Sequence, residues 1–590
     1  MIKHSLIFYF AFFLLQLIFY FVAPSFYIST PSDLVIPTFI KLAFGKYFVL
    51  ILSLYLTWAL VLGIFNRLLL RTQKNKLSKK ALYLFLFAQL SLTLLWVTWQ
   101  YPSTLDSYPG FKSLTLASSY ALFLSLALLA WIFYHRQSSF SPKTLGLSLL
   151  ALALPALLLQ GLNPKVALEL PSLEGKNHVL LLGVDALDGP TANQFLEDHL
   201  QNEGARLFEQ AYTPLPLTHP AWNSILSGQY PDKHGVRYFF ESPLPSAHPE
   251  SYLQRILKSH GYLSLHAADQ PETSYFRKSD GFDATTYQRK GWEAHMVAML
   301  FKHFIFPSLW LNNTWMDRLG VESFNYAGLF NYQPERFFNQ TFKQLNHLSH
   351  GPKFLALHSC YLHTPVHLTK EEIHQISGYW KQSPKDFSFT KWPKPGAGYK
   401  KAQAGWINPY PLRRQSLLNF LSQLSQQLKE KHYLEKATLV LLSDHGERFI
   451  AGKEIYGGVH GVDLKTQEQT NVILAFLSAQ FKDFQSSQEK VSLVDIAPTV
   501  LKLLQIDTKP FYFDGLALLE NNGDLIDLSP RKIKMESMGY LNHQELGIEF
   551  PQIAVSTLQS NLRYKEDGGV VIDKKYYEKI VPEKIKKAID

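Results

Sequence analysis

Apolar runs crowd the first quarter of this chain, and they set the terms for everything after it. Five of them, at roughly 5–23, 47–66, 81–99, 114–134 and 145–162, each approach the ~20 residues that a helix needs to cross the hydrocarbon of a bilayer. The last is the shortest, and its Pro155 can kink it. Lys3 ahead of an apolar run is also how a cleaved signal peptide begins, but four more spans follow the first. The pattern predicts an anchor of five transmembrane helices over 1–162, then a globular unit.

Charge orients that anchor. The loop at 66–80 carries Arg67, Arg71, Lys74, Lys76, Lys79 and Lys80; Arg136 and Lys143 lie in the loop at 135–144, and Lys3 stands at the start. The opposite loops hold only Lys41, Lys46 and Lys112, with Asp33 and Asp106. Basic loops stay in the cytoplasm, so the N-terminus is expected there, and five crossings place the remainder outside. The net charge of +10 has the same origin: residues 1–162 hold twelve Lys/Arg against two Asp/Glu, while the remaining 46 basic and 46 acidic residues cancel. This argues against a nucleic-acid partner and for membrane lipids. Cys360 is the single cysteine, so no internal disulfide forms, and the outer domain relies on its core instead.

Residues 163–176, "NPKVALELPSLEGK", read as a linker. Beyond it, short continuous apolar runs at 179–184, 354–357, 438–442 and 471–477 suit strands buried on both faces, and helical patterns such as 415–431 and 491–505 lie between them. The expectation is an α/β domain with a mainly parallel central sheet over 177–590. The stretch 379–414, rich in Pro, Gly, aromatics and Lys/Arg, reads as a long surface loop or as a flap for lipid headgroups or an anionic substrate.

In open α/β sheets, ligands gather at the carboxyl ends of the strands. Asp185 stands at the end of the first run, Asp444 and His445 at the end of "TLVLLS", and His358 at the end of "FLAL"; His363 follows in "HSCYLHTPVH" and His460 in "YGGVHG". Two carboxylates and an imidazole suit a divalent cation, with Zn²⁺ or Mn²⁺ favoured over Ca²⁺ or Mg²⁺ by the histidine. Thr218 precedes His219 and Pro220 at the start of a short helix that Gly228 can stop. A hydroxyl there sits beside free N–H groups and the positive end of the helix dipole, a place for an anion. It would serve as an N-cap or, beside a cation held by Asp185, Asp444 and His445, as a nucleophile at neutral pH.

Asp185 after its strand, "THPAWNSILSGQYPDKHGV", "LHSCYLHTP", "SDHGE", "HG", "VSLVDIAPTVLKLL" and "FDGLAL" together resemble, in order and spacing over roughly 178–520, the sulfatase branch of the alkaline phosphatase superfamily. The resemblance implies Thr218 as nucleophile, ten residues before the Gly of "L-x-G-x-Y-P". It also implies Asp185, Thr218, Asp444 and His445 as ligands of one primary metal, and His358, His363 and His460 as groups that bind phosphoryl oxygens, protonate the leaving group or hold a second ion. Two-metal relatives place a carboxylate four residues before a His; here the residue is His358 and the gap is five, which implies one ion. True sulfatases carry a Cys or Ser that becomes formylglycine, in Cys-x-Pro-x-Arg; this chain has Thr218, with Trp222 at the Arg position. A threonine nucleophile behind five spans is similar to phosphoethanolamine transferases and lipoteichoic acid synthases of the bacterial plasma membrane. The implied activity is transfer of a phospholipid-derived headgroup, from an anionic phosphate ester, onto an envelope lipid or glycan. The alternatives are a phosphodiesterase or sulfuric-ester hydrolase, and a catalytically silent envelope protein.

Overall fold

In the computed structural model, "HVLLLGV" is strand β1 (His178–Val184), buried along its whole length. It pairs in parallel with β5 (Lys353–Ser359) on one side and β6 (Ala437–Ser443) on the other. β3 (Leu263–Ala268) and β4 (Ala284–Thr285) continue the parallel run beyond β5. Past β6, β8 (Leu474–Leu477) runs antiparallel to both β6 and β2 (Ala205–Tyr212); β7 (Asn471–Val472) is antiparallel to β2, and β9 (Phe484–Ser492) is parallel to it. The sheet has nine strands in the order β4-β3-β5-β1-β6-β8-β2-β7, with β9 on β2. This is the α/β domain with a mainly parallel sheet that the apolar runs imply. The description covers 2–22, 36–69, 79–100, a few positions between 150 and 158, and, with short gaps, 165–287, 332–375, 410–447, 460–536, 562–564 and 570–572.

The runs are continuous because each face of the sheet has its own core. Leu180, Leu182, Leu355, Leu357, Leu439 and Leu441 point into one, beneath helices Gly189–Leu200, Pro334–His347 and Tyr410–Glu430. Val179, Leu181, Phe354, Ala356, Val440 and Leu442 point into the other, beneath helices Thr218–Ser227, Leu253–Ser259 and Ile496–Leu503. Successive side chains alternate between faces, so a strand covered on both sides has no polar alternation. Strand register then lays out the site: Val184 lies opposite Ser359 and Ser443, so the residues that follow each strand emerge side by side.

Three details differ from the sequence reading. The run 471–477 is two strands, broken at Ile473, whose N–H bonds to Ser443 Oγ at 3.0 Å. The expected helix 491–505 starts later, because Val491 and Ser492 close β9 and Asp495 accepts the Ser492 N–H at 2.7 Å before helix Ile496–Leu503 begins. The expected linker is docked. Leu168, Leu170 and Leu173 join the core, and side chains of helix Pro334–His347 bind its backbone: Asn339 accepts from Glu169 N and donates to Ala167 O, while Asn346 donates to Ser172 O.

In the N-terminal region, α1 (Ile2–Val22), α2 (Ile36–Leu69) and α3 (Lys79–Gln100) coincide with the first three expected spans. α2 is longer than its expected 47–66, at 34 residues, or about 50 Å of helix. Its segment Ile51–Leu68, with mean hydropathy 1.6, is the one window among the described residues that is long and apolar enough to cross a membrane. The expected span 114–134 and most of 145–162 lie outside the described residues; of the last span, positions 150, 154, 157 and 158 are described and are helical.

Candidate active site

Helix Thr218–Ser227 is buried at every position. Leu217 is its N-cap and offers no side-chain hydrogen bond, so Thr218 is the first helical residue and its hydroxyl is not spent on capping. Gly228 ends the helix in the left-handed region, with φ at 64°, and a Cβ there would meet Phe513 Cδ1 at 2.5 Å; only glycine fits both demands. The segment after it is locked from several sides. Asp514 accepts from Tyr230 N at 2.8 Å, Gln229 donates to Tyr512 O at 3.0 Å, and His234 takes the Val236 N–H at 3.1 Å while its other nitrogen bonds Ser224 Oγ at 2.9 Å. The helix therefore presents Thr218 from a fixed platform.

Thr218 Oγ1 stands 3.2 Å from Asp185 Oδ2 and 3.2 Å from His445 Nε2. His445 Nδ1 donates to Gly446 O at 3.0 Å, which leaves its Nε2 lone pair facing Thr218, Asp185 and Asp444. Burial and the neighbouring charge of His460 lower the His445 pKa to about 3, so the ring is a neutral donor of that lone pair. One ligand atom each from Asp185, Asp444 and His445 lies within 4.8 Å of the others. Asp185 Oδ1 and Asp444 Oδ2 are buried and accept no hydrogen bond. Burial and the facing Asp185 raise Asp444 to about 8, while the surrounding histidines overcome burial and keep Asp185 ionised. Two buried carboxylates with orphaned oxygens beside a neutral imidazole form a donor set that a divalent cation completes.

His460 stacks on His445 with ring centroids 4.4 Å apart and meets His363 edge-on at 5.9 Å. Its Nδ1 is 3.2 Å from both carboxylate oxygens of Glu447. Burial opposes charge on His460, but Glu447, Asp185 and Asp444 outweigh it and raise its pKa to about 9. His363 keeps a buried, unpartnered Nδ1. His358, expected among the substrate-contacting histidines, is fully buried with both nitrogens engaged: Nδ1 accepts the Trp222 indole N–H at 2.9 Å, and Nε2 lies 3.2 Å from Cys360 Sγ and 3.4 Å from Asp185 Oδ2.

The domain matches the sulfatase family model over residues 177–506, more than half of the chain. The chain belongs to the sulfatase family. It is an enzyme by that membership, and sulfatase-family enzymes use a metal ion. Its fold is similar to the phosphonate monoester hydrolase of Silicibacter pomeroyi (16% identity, covering 63% of this chain and 83% of that one, TM-score 0.40). It is also similar to the C-terminal periplasmic domain of the phosphoethanolamine transferase EptC of Campylobacter jejuni (17%, covering 58% and 93%, TM-score 0.33). A 4S-sulfatase of Bacteroides thetaiotaomicron shares 14% identity, covering 61% and 79%, at a TM-score of 0.37. A search of curated proteins finds no match. At these identities and scores the likenesses add nothing to the family assignment.

Sequence reasoning left Glu447 without a role, although it lies two residues after His445 in the same motif. Asp188, also left without one, caps helix Gly189–Leu200 and accepts from Thr191 N at 3.0 Å. Lys453 lies outside the described residues, as do 379–409 of the expected flap. The flap's last residues are helical instead. Arg413 is buried over the Tyr361 ring and 3.4 Å from Glu372, and Arg414 is 3.5 Å from Asp188, so neither is free for a headgroup.

Proposed function

We propose that this sulfatase-family enzyme is a membrane-bound phosphoryl-group transferase that uses Thr218 as nucleophile and moves a phospholipid-derived headgroup onto an envelope lipid or glycan. The observation that carries the reading is the Thr218 hydroxyl, uncommitted to capping and 3.2 Å from each of two acceptors, Asp185 Oδ2 and His445 Nε2. Threonine cannot become formylglycine, and Trp222, at the Arg position of the sulfatase pattern, is buried with its indole donating to His358; both support phosphoryl over sulfate-ester chemistry.

Asp185, Asp444, His445 and Thr218 would hold one divalent ion, Zn²⁺ or Mn²⁺ before Ca²⁺ or Mg²⁺. Bound there, the ion supplies positive charge that acidifies the threonine hydroxyl and offsets charge on a phosphoryl group. Thr218 Oγ1 gives its proton to Asp185 and forms the new bond to phosphorus, while the bond to the donor alcohol breaks in line. The leaving oxygen takes a proton from His460, which Glu447 keeps charged, with His363 beside it to bind the phosphoryl oxygens. An acceptor alcohol then gives its proton back to His460 and attacks phosphorus, and Thr218 leaves with its proton restored.

The N-terminal helices support membrane attachment, since they turn Ile7, Phe10, Leu14, Leu60, Ile64, Phe65 and Leu68 outward. We place the chain in a bacterial plasma membrane, multi-pass, with the N-terminus cytoplasmic and the catalytic domain outside. Membrane lipids and an anionic phosphate ester are its partners, and confinement of donor and acceptor to one surface raises their encounter. Full-length protein incubated with headgroup-labelled phospholipid tests the reading. Label on a second lipid or glycan, with a transient adduct on Thr218 by mass spectrometry, supports it; free headgroup alone makes the protein a phosphodiesterase, and no adduct on Thr218 removes the nucleophile.

A further inference from the structure

We propose that Trp222 and His358 are positioning residues for the metal centre: the indole N–H locks His358 with its proton on Nε2, aimed at Asp185, so that Asp185 turns its other oxygen to a single cation and no second cation binds beside it. This rests on the metal-centre reading above and concerns two residues outside that ligand set.

The argument is one of donors and acceptors. An indole nitrogen only donates, so the ring nitrogen facing it at 2.9 Å has to offer a lone pair. A neutral imidazole with its lone pair at Nδ1 carries its proton at Nε2. That nitrogen stands 3.2 Å from Cys360 Sγ and 3.4 Å from Asp185 Oδ2, and Oδ2 also faces the Thr218 hydroxyl at 3.2 Å and the Cys360 thiol at 3.5 Å. Every group around Oδ2 is a donor, whereas Oδ1 accepts no hydrogen bond and lies 3.6 Å from His445 Nε2. Asp444 Oδ2, at 3.9 Å from His358 Nδ1, is beyond hydrogen-bond reach.

His445 and His358 thus flank one carboxylate in opposite tautomers. The Gly446 carbonyl fixes the first with its lone pair toward the centre; the Trp222 indole fixes the second with its proton toward it. By distance alone Asp185, His358 and Cys360 could hold an ion. His358 closes that option, because one nitrogen is committed to the indole and the other carries hydrogen. The fold builds the lock deliberately: Gly183 lies opposite His358 across β1 and β5, and a Cβ on Gly183 would collide with the Trp222 ring. Trp222 sits one turn beyond Thr218 on the same helix, and Trp222, His358 and Asp185 are all fully buried, so water cannot replace the indole.

The test is metal binding by the purified full-length protein, stripped with a chelator and reloaded with Co²⁺. The expected result is one equivalent per chain with no thiolate-to-cobalt charge-transfer band. His358→Leu should weaken Co²⁺ binding about 10–100-fold at unchanged stoichiometry, and His358→Gln, which keeps an N–H donor, should recover most of it. Trp222→Phe should weaken binding about tenfold. Two equivalents, with a charge-transfer band lost in Cys360→Ser, would overturn the proposal by making His358 and Cys360 ligands. So would wild-type affinity in His358→Leu. If His358→Leu fails to accumulate, the stoichiometry and band of the wild type and the affinity of His358→Gln decide. A wild type that binds no Co²⁺ fails the metal centre itself, whereas two equivalents fail only this inference.

Discussion

Asp269 and Asp444 occupy equivalent places in the sheet and have opposite fates. Each is the first residue after a parallel strand, β3 or β6, and each is buried to 1% exposure or less. Asp269 is saturated: Oδ1 accepts Cys360 N at 2.7 Å, and Oδ2 accepts Ser359 Oγ at 2.6 Å and the Tyr332 hydroxyl. Asp444 accepts its neighbour's N–H at 2.9 Å on Oδ1 and nothing on Oδ2, with Asp185 opposite. A buried carboxylate at a strand end is therefore not a site by virtue of its position. The unspent oxygen makes it one, because a buried polar oxygen left without a partner is costly and a cation would supply that partner.

The largest test of the contrast removes the group that the centre serves. Thr218→Ala should cost about 10⁴-fold or more in kcat and abolish the labelled intermediate, read by single-turnover kinetics. His460→Gln should follow at about 10²–10⁴-fold, through loss of the proton donor. The two aspartates should then separate cleanly. Asp444→Asn should weaken metal binding by at least about 100-fold, yet make the chelator-stripped protein unfold later than the stripped wild type, since an amide needs no proton taken up on folding to stay neutral beside Asp185. Asp269→Ala should do the reverse: metal per folded chain unchanged, and stability lower by about 3 kcal/mol, because buried donors from Cys360, Ser359 and Tyr332 lose their acceptor. Chemical denaturation with and without chelator measures both, and equal behaviour of the two variants would break the contrast.

The smallest effect belongs to an edge carboxylate. Burial opposes charge on Asp283, but Lys258 and the Ser264 N–H and hydroxyl outweigh it and lower its pKa. Its contribution is present above the unfolded carboxylate pKa of about 4 and is lost as pH falls through the lower folded value. Asp283→Asn should therefore unfold slightly earlier than wild type at pH 7, with the difference vanishing in acid.

Much of the catalytic domain was legible in the residues. Strands β1, β5 and β6 are short apolar runs because both faces of the sheet are covered, and their ends carry Asp185, His358 and Asp444 in plain view. Strands β2, β3 and β9 escaped, since "ARLFEQAY", "LSLHAA" and "FQSSQEKVS" mix polar residues into their runs. Arg206 in β2 is 1% exposed because Gly523 O and Asp483 O accept its guanidinium, partners about three hundred residues away. The docked segment 165–176 escaped for the same reason, because the amides that hold it lie on a distant helix.

By itself the sequence determined the central strands β1, β5 and β6, the covering of both their faces, the residue types at their ends and a threonine at the start of a short helix. Only the tertiary structure decided which of those polar groups find partners. Whether Asp269 is satisfied and Asp444 is not, or whether a histidine offers a proton or a lone pair, depends on what stands within about 3 Å. Those neighbours, Trp222 to His358 and Tyr332 to Asp269, come from segments far apart in the chain, and local pattern carries no information about such contacts.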